Sequence, residues 1–263
     1  NMRKIKVGVQ LHPQHTTYDT YAEAVQKIEA IGVDSIWNWD HFFPLYDQDS
    51  GNNNHFEGWT LLTAIATLTQ TVEIGTLVTC NSYRNPALLT HMANTVDHIS
   101  HGRLILGIGA GWFEKDYNDF GYTFGTAGSR LRDLRDNLPI IKKRMTQEIP
   151  APVRNPIPIM VGGGGEKVTL KITAEYADLW NGFGPPETWA HKNKVLDTWC
   201  AEVGRNPDEI ERTVSLSKED IPTNLDAFAE AGATHFILGM PCPPDYAQIK
   251  ALIDWRDKVN AQA

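Results

Sequence analysis

Two glycine-rich segments and one Asp-His pair are the places where residue type and spacing could do chemistry. In VGGGGEK (161–167), Gly162, Gly163, Gly164 and Gly165 follow an apolar run and precede a helix expected to begin near Glu166. Consecutive glycines let backbone N–H groups turn toward one point, and a helix N-terminus adds partial positive charge, so together they make an anion cradle. A tight strand-to-helix turn needs only one or two glycines. Four in succession favour a phosphate. No Gly-Lys-Ser/Thr follows and the spacing is not G-x-G-x-x-G, so neither common nucleotide-binding loop is present. In GIGAGW (107–112), Gly107, Gly109 and Gly111 alternate at the end of a strand-like run. Glycine weakens a strand unless another surface approaches closely. That surface is a flat ring or a packed helix, and the sequence leaves both open. Asp40-His41 closes another apolar run, where a histidine suits acid–base chemistry or anion binding. Taken as a lone dipeptide, its default reading is a structural histidine.

Other chemistries lack their residues. His12, His15, His41, His55, His91, His98 and His101 show no i, i+4 pairing with a carboxylate base, so no metal site is expected. His98 and His101 are expected on the solvated face of one helix. No GxSxG elbow occurs for nucleophilic hydrolysis. Trp39, Trp59 and Trp112 lie near expected loops and could wall an aromatic pocket, whereas Trp189, Trp199 and Trp255 fall in helical stretches as packing residues.

The elements that must hold these residues are legible from periodicity. Short runs, apolar at nearly every position, occur at 5–11, 35–39, 72–78, 104–110, 157–163, 177–183, 213–217 and 234–240. Such runs suit parallel strands buried on both faces. Between them lie helical stretches. One runs from Asp19, read as an N-cap, to Ala30 and stops at Gly32. Another begins at Pro86 and ends near Gly102, and a third runs from Pro222 and Asn224 to Gly232. Eight strand–helix units without hairpin signals predict an α/β fold, a single (β/α)8 TIM barrel spanning residues 1–263 as one domain. A barrel works at the C-terminal ends of its strands, which is where the glycines and Asp40-His41 fall. The loop from His41 to Glu57 is long for a compact domain and is expected to be functional.

Composition excludes several classes. The 263 residues carry 24 basic and 32 acidic side chains, a net charge of −8. That argues against nucleic acid or an anionic membrane as partner and for a small-molecule substrate. No apolar stretch reaches the ~20 residues of a membrane helix. The three scattered cysteines, Cys80, Cys200 and Cys242, and an N-terminus without signal-peptide architecture predict a cytoplasmic protein.

The run IGTLVTCNSYRNPALLTHMANTVDHISHGRLILGIGAGW (74–112) resembles the bacterial luciferase-like superfamily of flavin- and deazaflavin-dependent enzymes. It combines Gly-Thr-x-Val, Asn-Pro-Ala, Ser-x-Gly-Arg-Leu and Gly-x-Gly-x-Gly. WDHFFP (39–44) resembles the Asp-His-Phe segment of the superfamily's coenzyme F420-dependent branch. The resemblance covers essentially residues 3 to 260. It implies a luciferase-like barrel and a non-proline cis peptide at Leu77-Val78 supporting the back of a tricyclic ring. It also implies ring contacts from Asp40 and from the backbone of Thr76, Leu77, Val78 and Thr79. Gly109 and Gly111 would lie against the ring, and the 162–165 backbone would hold the phosphate. His41 matches a position near the hydride-accepting carbon, so His41 and Asp40 are the implied catalytic residues.

Ala110 stands where luciferase-type proteins often carry arginine. With Asp40-His41, this favours F420 as cofactor, with FMN and monooxygenase chemistry as the alternative; a non-catalytic cofactor-binding relative is a third reading. Leu45 replaces the tryptophan of the sugar-phosphate dehydrogenases, which points away from that substrate. A relatively apolar substrate bounded by His12, Trp39, Leu45 and Trp112 is the expectation. Arg84, Lys115, Arg130 and Lys167 are candidates for the cofactor's acidic tail; relatives in the superfamily are often dimers, which leaves the oligomeric state open with a homodimer as one option.

Overall fold

The computed structural model describes residues 4–46 and 51–263; positions 47–50 of the expected functional loop lie outside them. Each apolar run forms a strand, and every strand is parallel to its neighbours. They are β1 (Lys6–Leu11), β2 (Ser35–Asn38), β3 (Glu73–Thr76), β4 (Thr79–Cys80), β5 (Leu104–Gly109), β6 (Ile159–Gly162), β7 (Leu179–Gly182), β8 (Glu211–Leu216) and β9 (His235–Met240). The order is β3-β2-β1-β9-β8-β7-β6-β5-β4, and β5 also pairs with β3 through Ile74–Leu104 and Gly75–Ile105. That pairing closes the ring. The fold is an eight-stave (β/α)8 barrel, because β3 and β4 are halves of one stave.

The expected third strand, 72–78, is therefore corrected in one respect. It breaks at Leu77-Val78, whose peptide is cis, and resumes as β4, with Thr79 opposite Ile108 and Cys80 opposite Gly109. Both halves bond to β5, so the barrel wall stays continuous around the bulge.

Helices α1 (Tyr18–Ile31), α2 (Gly58–Leu68), α3 (Pro86–Ile99), α4 (Glu114–Phe120), α5 (Ala127–Met145), α6 (Thr169–Tyr176), α7 (Pro186–Val203), α8 (Leu225–Glu230) and α9 (Tyr246–Ala261) surround it. The cap of α1 is Thr17, not Asp19: its extended backbone lets the hydroxyl accept the Thr20 N–H at 3.2 Å. Asp19 falls in the first turn, and Gly32 ends the helix at φ 106°. His101 lies beyond α3, not on its face, because the chain turns away through positive φ at His101 and Gly102. Helix α6 starts at Thr169, three residues later than expected. Glu166 is drawn outward, with its carboxylate on His191 and Lys192 and its carbonyl accepting from Trp199 Nε1 at 2.6 Å.

Apolar side chains fill two spaces. The larger set lies between staves and helices and includes Trp189, with Trp199 and Trp255 packed against it. The smaller one fills the barrel itself with Trp37, Leu77, Ile105, Met160, Leu179 and Ile237. At the N-terminal end of the staves the interior is charged instead. Lys6 Nζ bridges Glu73 and Glu211, each at 3.3 Å, and Arg154 joins Glu73 at 2.7 Å. Burial alone would raise the Glu211 carboxyl, but His235 and Lys6 beside it hold it down to about 2. The arginine of Ser-x-Gly-Arg-Leu is structural. Arg103 donates to the carbonyls of Ala66, Thr69, Val72 and Ser100, tying the end of α2 to β3.

Gly75 lets the Trp37 ring lie across β3. A Cβ there would sit 2.6 Å from both the Trp37 ring and the Ile105 carbonyl oxygen. Gly75→Ala is expected to destabilise the fold by about 1–3 kcal/mol, the usual range for overpacking, read as a lower urea midpoint at unchanged slope.

Candidate active site

The C-terminal ends of the staves open onto a cavity of about 710 Å³, with a second of about 580 Å³ beside it over β1, β8 and β9. Gln10, Tyr46 and Ser215 line both, so the two form one divided cleft.

The floor is the Leu77-Val78 bulge. Gln10 Nε2 donates to the Leu77 carbonyl at 2.7 Å, and the Leu77 N–H donates to the Asn38 carbonyl at 2.9 Å. Val78 seats between two glycines: a Cβ at Gly109 would lie 2.8 Å from one Val78 methyl, and a Cβ at Gly162 would lie 2.9 Å from the other. This settles what the alternating glycines of 107–112 make room for. Gly107 faces the Thr76 carbonyl, Gly109 faces Val78, and Gly111, at φ 90°, faces Tyr117 and Cys80. The surface that approaches closely is the protein's own bulge. Gly109 and Gly111 also line the cleft.

The tetraglycine divides in the same way. Gly162 admits Val78, and the Gly163 N–H is spent on the Asn181 carbonyl at 3.1 Å, with the turn made at φ 125°. Among the described residues, the N–H groups of Gly164 and Gly165 have no partner. The anion cradle thus narrows from four glycines to the last two. Lys192, which sequence reasoning missed, lays its aliphatic carbons 3.7 Å from where a Gly164 Cβ would be and pairs with Glu166 at 3.0 Å.

Asp40 lines the larger cavity, and its side chain is already committed to protein partners. Its carboxylate is fully buried, ion-paired to Arg84 at 2.7 Å, and accepts the Cys80 N–H at 2.8 Å. Arg84 also pairs with Glu57 at 2.6 Å, the residue that caps α2. Burial opposes the charge on Arg84, but Asp40 and Glu57 raise its pKa well above the ordinary value. Arg84 is therefore committed and unavailable to an acidic tail. So are Arg130, which donates to the Gly111 and Phe124 carbonyls, and Lys115, paired with Asp119 at 2.6 Å. Of the four cations expected there, Lys167 alone is exposed and unpaired among the described residues.

The side chains of Thr76 and Thr79 also turn away from the cleft. Thr76 donates to Asn38 Oδ1 at 2.8 Å, and Thr79 accepts from Trp59 Nε1 at 3.1 Å. Trp59 is accordingly buried behind the wall and walls no pocket.

The remaining expected residues do converge. Trp39, His41, Leu45 and Trp112 line the larger cavity, and His12 lines the smaller. Gln14 fixes Leu45 by bonding both its N–H and its carbonyl. His12 stacks on Trp39 with ring centroids 4.3 Å apart, and Trp39 Nε1 donates to His55 Nε2 at 3.0 Å. Three exposed aromatics surround the opening: Tyr46, Trp112 and Phe183. His41 places Nδ1 2.8 Å from Asp116 Oδ2, while Phe42 N–H and Tyr83 Oη donate to the same carboxylate at 2.9 and 3.1 Å. Asp116 and Tyr83 were not legible in sequence. Glu114, Asp116 and Asp119 look alike along α4, and only burial distinguishes Asp116. Among the described residues, no three His, Cys, Asp or Glu side chains converge as metal ligands, and no helix is long and apolar enough to cross a membrane.

A family profile described as luciferase-like monooxygenase matches residues 3–259. The chain belongs to the luciferase-like monooxygenase family. An uncharacterized Mycobacterium tuberculosis protein is 30% identical over 199 residues, 70% of this chain and 69% of that one. The 5,10-methylenetetrahydromethanopterin reductase of Archaeoglobus fulgidus is 26% identical over 272 residues, 98% of this chain and 76% of the reductase. Among solved structures, an F420-dependent secondary alcohol dehydrogenase with an F420-acetone adduct superposes at a TM-score of 0.84. It covers 96% of this chain and 98% of that one at 17% identity, a likeness of fold.

Burial pushes the imidazoles of His12 and His55 down to about 4 from an ordinary 6.5, with the nearby His41 contributing for His55. Between those values the unfolded chain binds more protons than the folded one, so stability is lost as pH falls from about 6.5 toward 4. Urea midpoints measured across that window are expected to fall with pH. His12→Phe should flatten the fall, and an unchanged slope would remove His12 from this account.

Proposed function

We propose that this protein is a coenzyme F420-dependent oxidoreductase that transfers a hydride between the deazaflavin and a small, relatively apolar organic substrate. The observation that carries this reading is the placement of His41, with Nε2 free among the described residues, in the same cavity lining as Val78 and Cys80. The Archaeoglobus relative is named a reductase, and the structurally similar alcohol dehydrogenase is named as F420-dependent, which supports an oxidoreductase reading.

The residues present fit such a cofactor. Val78, seated in the glycine notch, lines the cavity and offers an apolar support for a planar ring. The free N–H groups of Gly164 and Gly165 suit a phosphate, with Lys192 and Lys167 adjoining them. When bound, the deazaflavin supplies a carbon that gives or takes a hydride. His41 Nε2 takes or returns the proton that moves with that hydride. In this reading Asp40, paired with Arg84, holds the Cys80 N–H in place at the cleft wall.

The substrate class follows from the mouth. Trp39, Leu45, Tyr46, Trp112 and Phe183 make it apolar, and no Lys or Arg lines either cavity among the described residues. A phosphorylated or carboxylate substrate would meet no counter-charge there, whereas the stacked, neutral His12 offers a hydrogen bond without a charge.

Titrating the purified protein with F420 and with FMN tests the cofactor. F420 is expected to bind at the lower concentration, and tighter FMN binding with oxygen uptake on reduction would overturn the assignment. With a substrate drawn from a panel of small alcohols, aldehydes and ketones, His41→Ala should lower kcat on the order of 10²-fold or more. The F420 Kd should change little. An unaltered kcat would remove His41 from proton transfer.

A further inference from the structure

We propose that Asp116 is a positioning residue that holds His41 as its Nδ1–H tautomer, so that the Nε2 lone pair faces the cleft. The inference takes from the proposed function only the role of His41 and adds the residue that prepares it.

The geometry is specific. The Asp116 side chain is fully buried, and every bond made to it comes from a donor or from a nitrogen able to be one. Oδ1 accepts the Phe42 N–H at 2.9 Å; Oδ2 accepts the Tyr83 hydroxyl at 3.1 Å and faces His41 Nδ1 at 2.8 Å. Phe42 N–H can only donate. Burial, with Cys80 and Asp116 alongside, raises the Tyr83 phenol well above its ordinary value, so it keeps its proton and donates as well. Both Asp116 oxygens thus already receive a committed donor, and a carboxylate only accepts. His41 Nδ1 must then carry a hydrogen to complete the third bond. The imidazole has one other nitrogen, and in the neutral ring that one is bare.

Nothing else around His41 competes for it. From α4, Lys115 is paired with Asp119; from the 81–84 turn, Arg84 is spent on Asp40 and Glu57. His55 is turned to Trp39 and held neutral. Trp39, Trp112 and Phe113 meet the His41 ring edge-on, at centroid distances of 5.6 Å each, which fixes its plane. Nε2 thus reaches the cleft in an orientation set by packing and in a tautomer set by Asp116. The arrangement resembles the orienting carboxylate of a Ser-His-Asp triad, where exchanging Asp for Asn puts the proton on the wrong nitrogen.

The test reads the tautomer directly and needs neither cofactor nor substrate. In protein labelled with ¹⁵N-histidine, long-range ¹H–¹⁵N correlation at pH 8 distinguishes a protonated ring nitrogen from a bare one, and His41 is assigned by its loss in His41→Gln. The wild type should show Nδ1–H in excess of at least about tenfold, as a hydrogen bond to a charged acceptor supports. In Asp116→Asn the Phe42 N–H holds the amide oxygen on its own side. The amide N–H₂ is then presented to Nδ1, and the majority form should invert to Nε2–H. Tyr83→Phe should leave the wild-type form in place. A wild-type His41 carrying its proton on Nε2, or an Asp116→Asn variant with the wild-type tautomer, would falsify the proposal. Should Asp116→Asn not fold, the wild-type spectrum still decides. Failure here would leave F420 binding untouched, and failure of F420 binding would leave the tautomer untouched.

Discussion

The seat of Val78 between Gly109 and Gly162 is the contact on which the rest of the cleft depends. A barrel stave cannot bulge inward unless its neighbours surrender side-chain volume, because interiors are packed to crystal-like density. Here β5 and β6 surrender it at facing positions, and the stave made of β3 and β4 moves into the space. Two polar contacts then hold the displaced backbone. Gln10 takes the Leu77 carbonyl from across the barrel, and Asp40 takes the Cys80 N–H just beyond the bulge. Floor, wall and rim are therefore coupled through a few backbone groups that no regular ladder satisfies.

Around that floor the charges are buried in compensated sets. Asp40, Arg84 and Glu57 form one; Asp116 with Tyr83, the Phe42 N–H and His41 forms another. Such sets add little net stability after desolvation, but removing one member leaves an unpaired group in a dry place. Their effect is to fix geometry. The mouth above them is largely aromatic and carries no Lys or Arg among the described residues; its carboxylates are Asp220 in the smaller cavity and the ion-paired Asp40 in the larger. Lys167, exposed, and Lys192, paired with Glu166, sit near the two free N–H groups of Gly164 and Gly165, which favour an anion.

The barrel was legible because parallel strands buried on both faces must be apolar at nearly every position, and eight such runs alternate with helices. Element ends were less so. Thr17 and Asp19 can each cap a helix, and only backbone geometry shows which does. The glycines were legible as places of close approach, but what approaches was not. Gly109 and Gly162 face a side chain from a different stave, about 30 and 80 residues away in sequence respectively, and no local pattern reports such a neighbour. Asp40 and His41 were legible as a pair, yet adjacent residues in an extended segment point opposite ways. Asp40 is therefore spent on Arg84, while His41 turns to Asp116 and keeps Nε2 free among the described residues.

By itself the sequence determined the fold class, the staves and the set of side chains delivered to the mouth, since hydrophobic period and glycine placement are local properties of the chain. Tertiary structure alone decided which members of that set are spent on holding one another. Arg84, Asp40, Thr76 and Thr79 are spent on protein partners, Gly164 and Gly165 keep their N–H groups free among the described residues, and Asp116 arrives beside His41 from an element 75 residues distant. The physical reason is that a buried polar group must find a partner, and the partner is supplied by whichever element the fold brings alongside, however far away it lies in the chain.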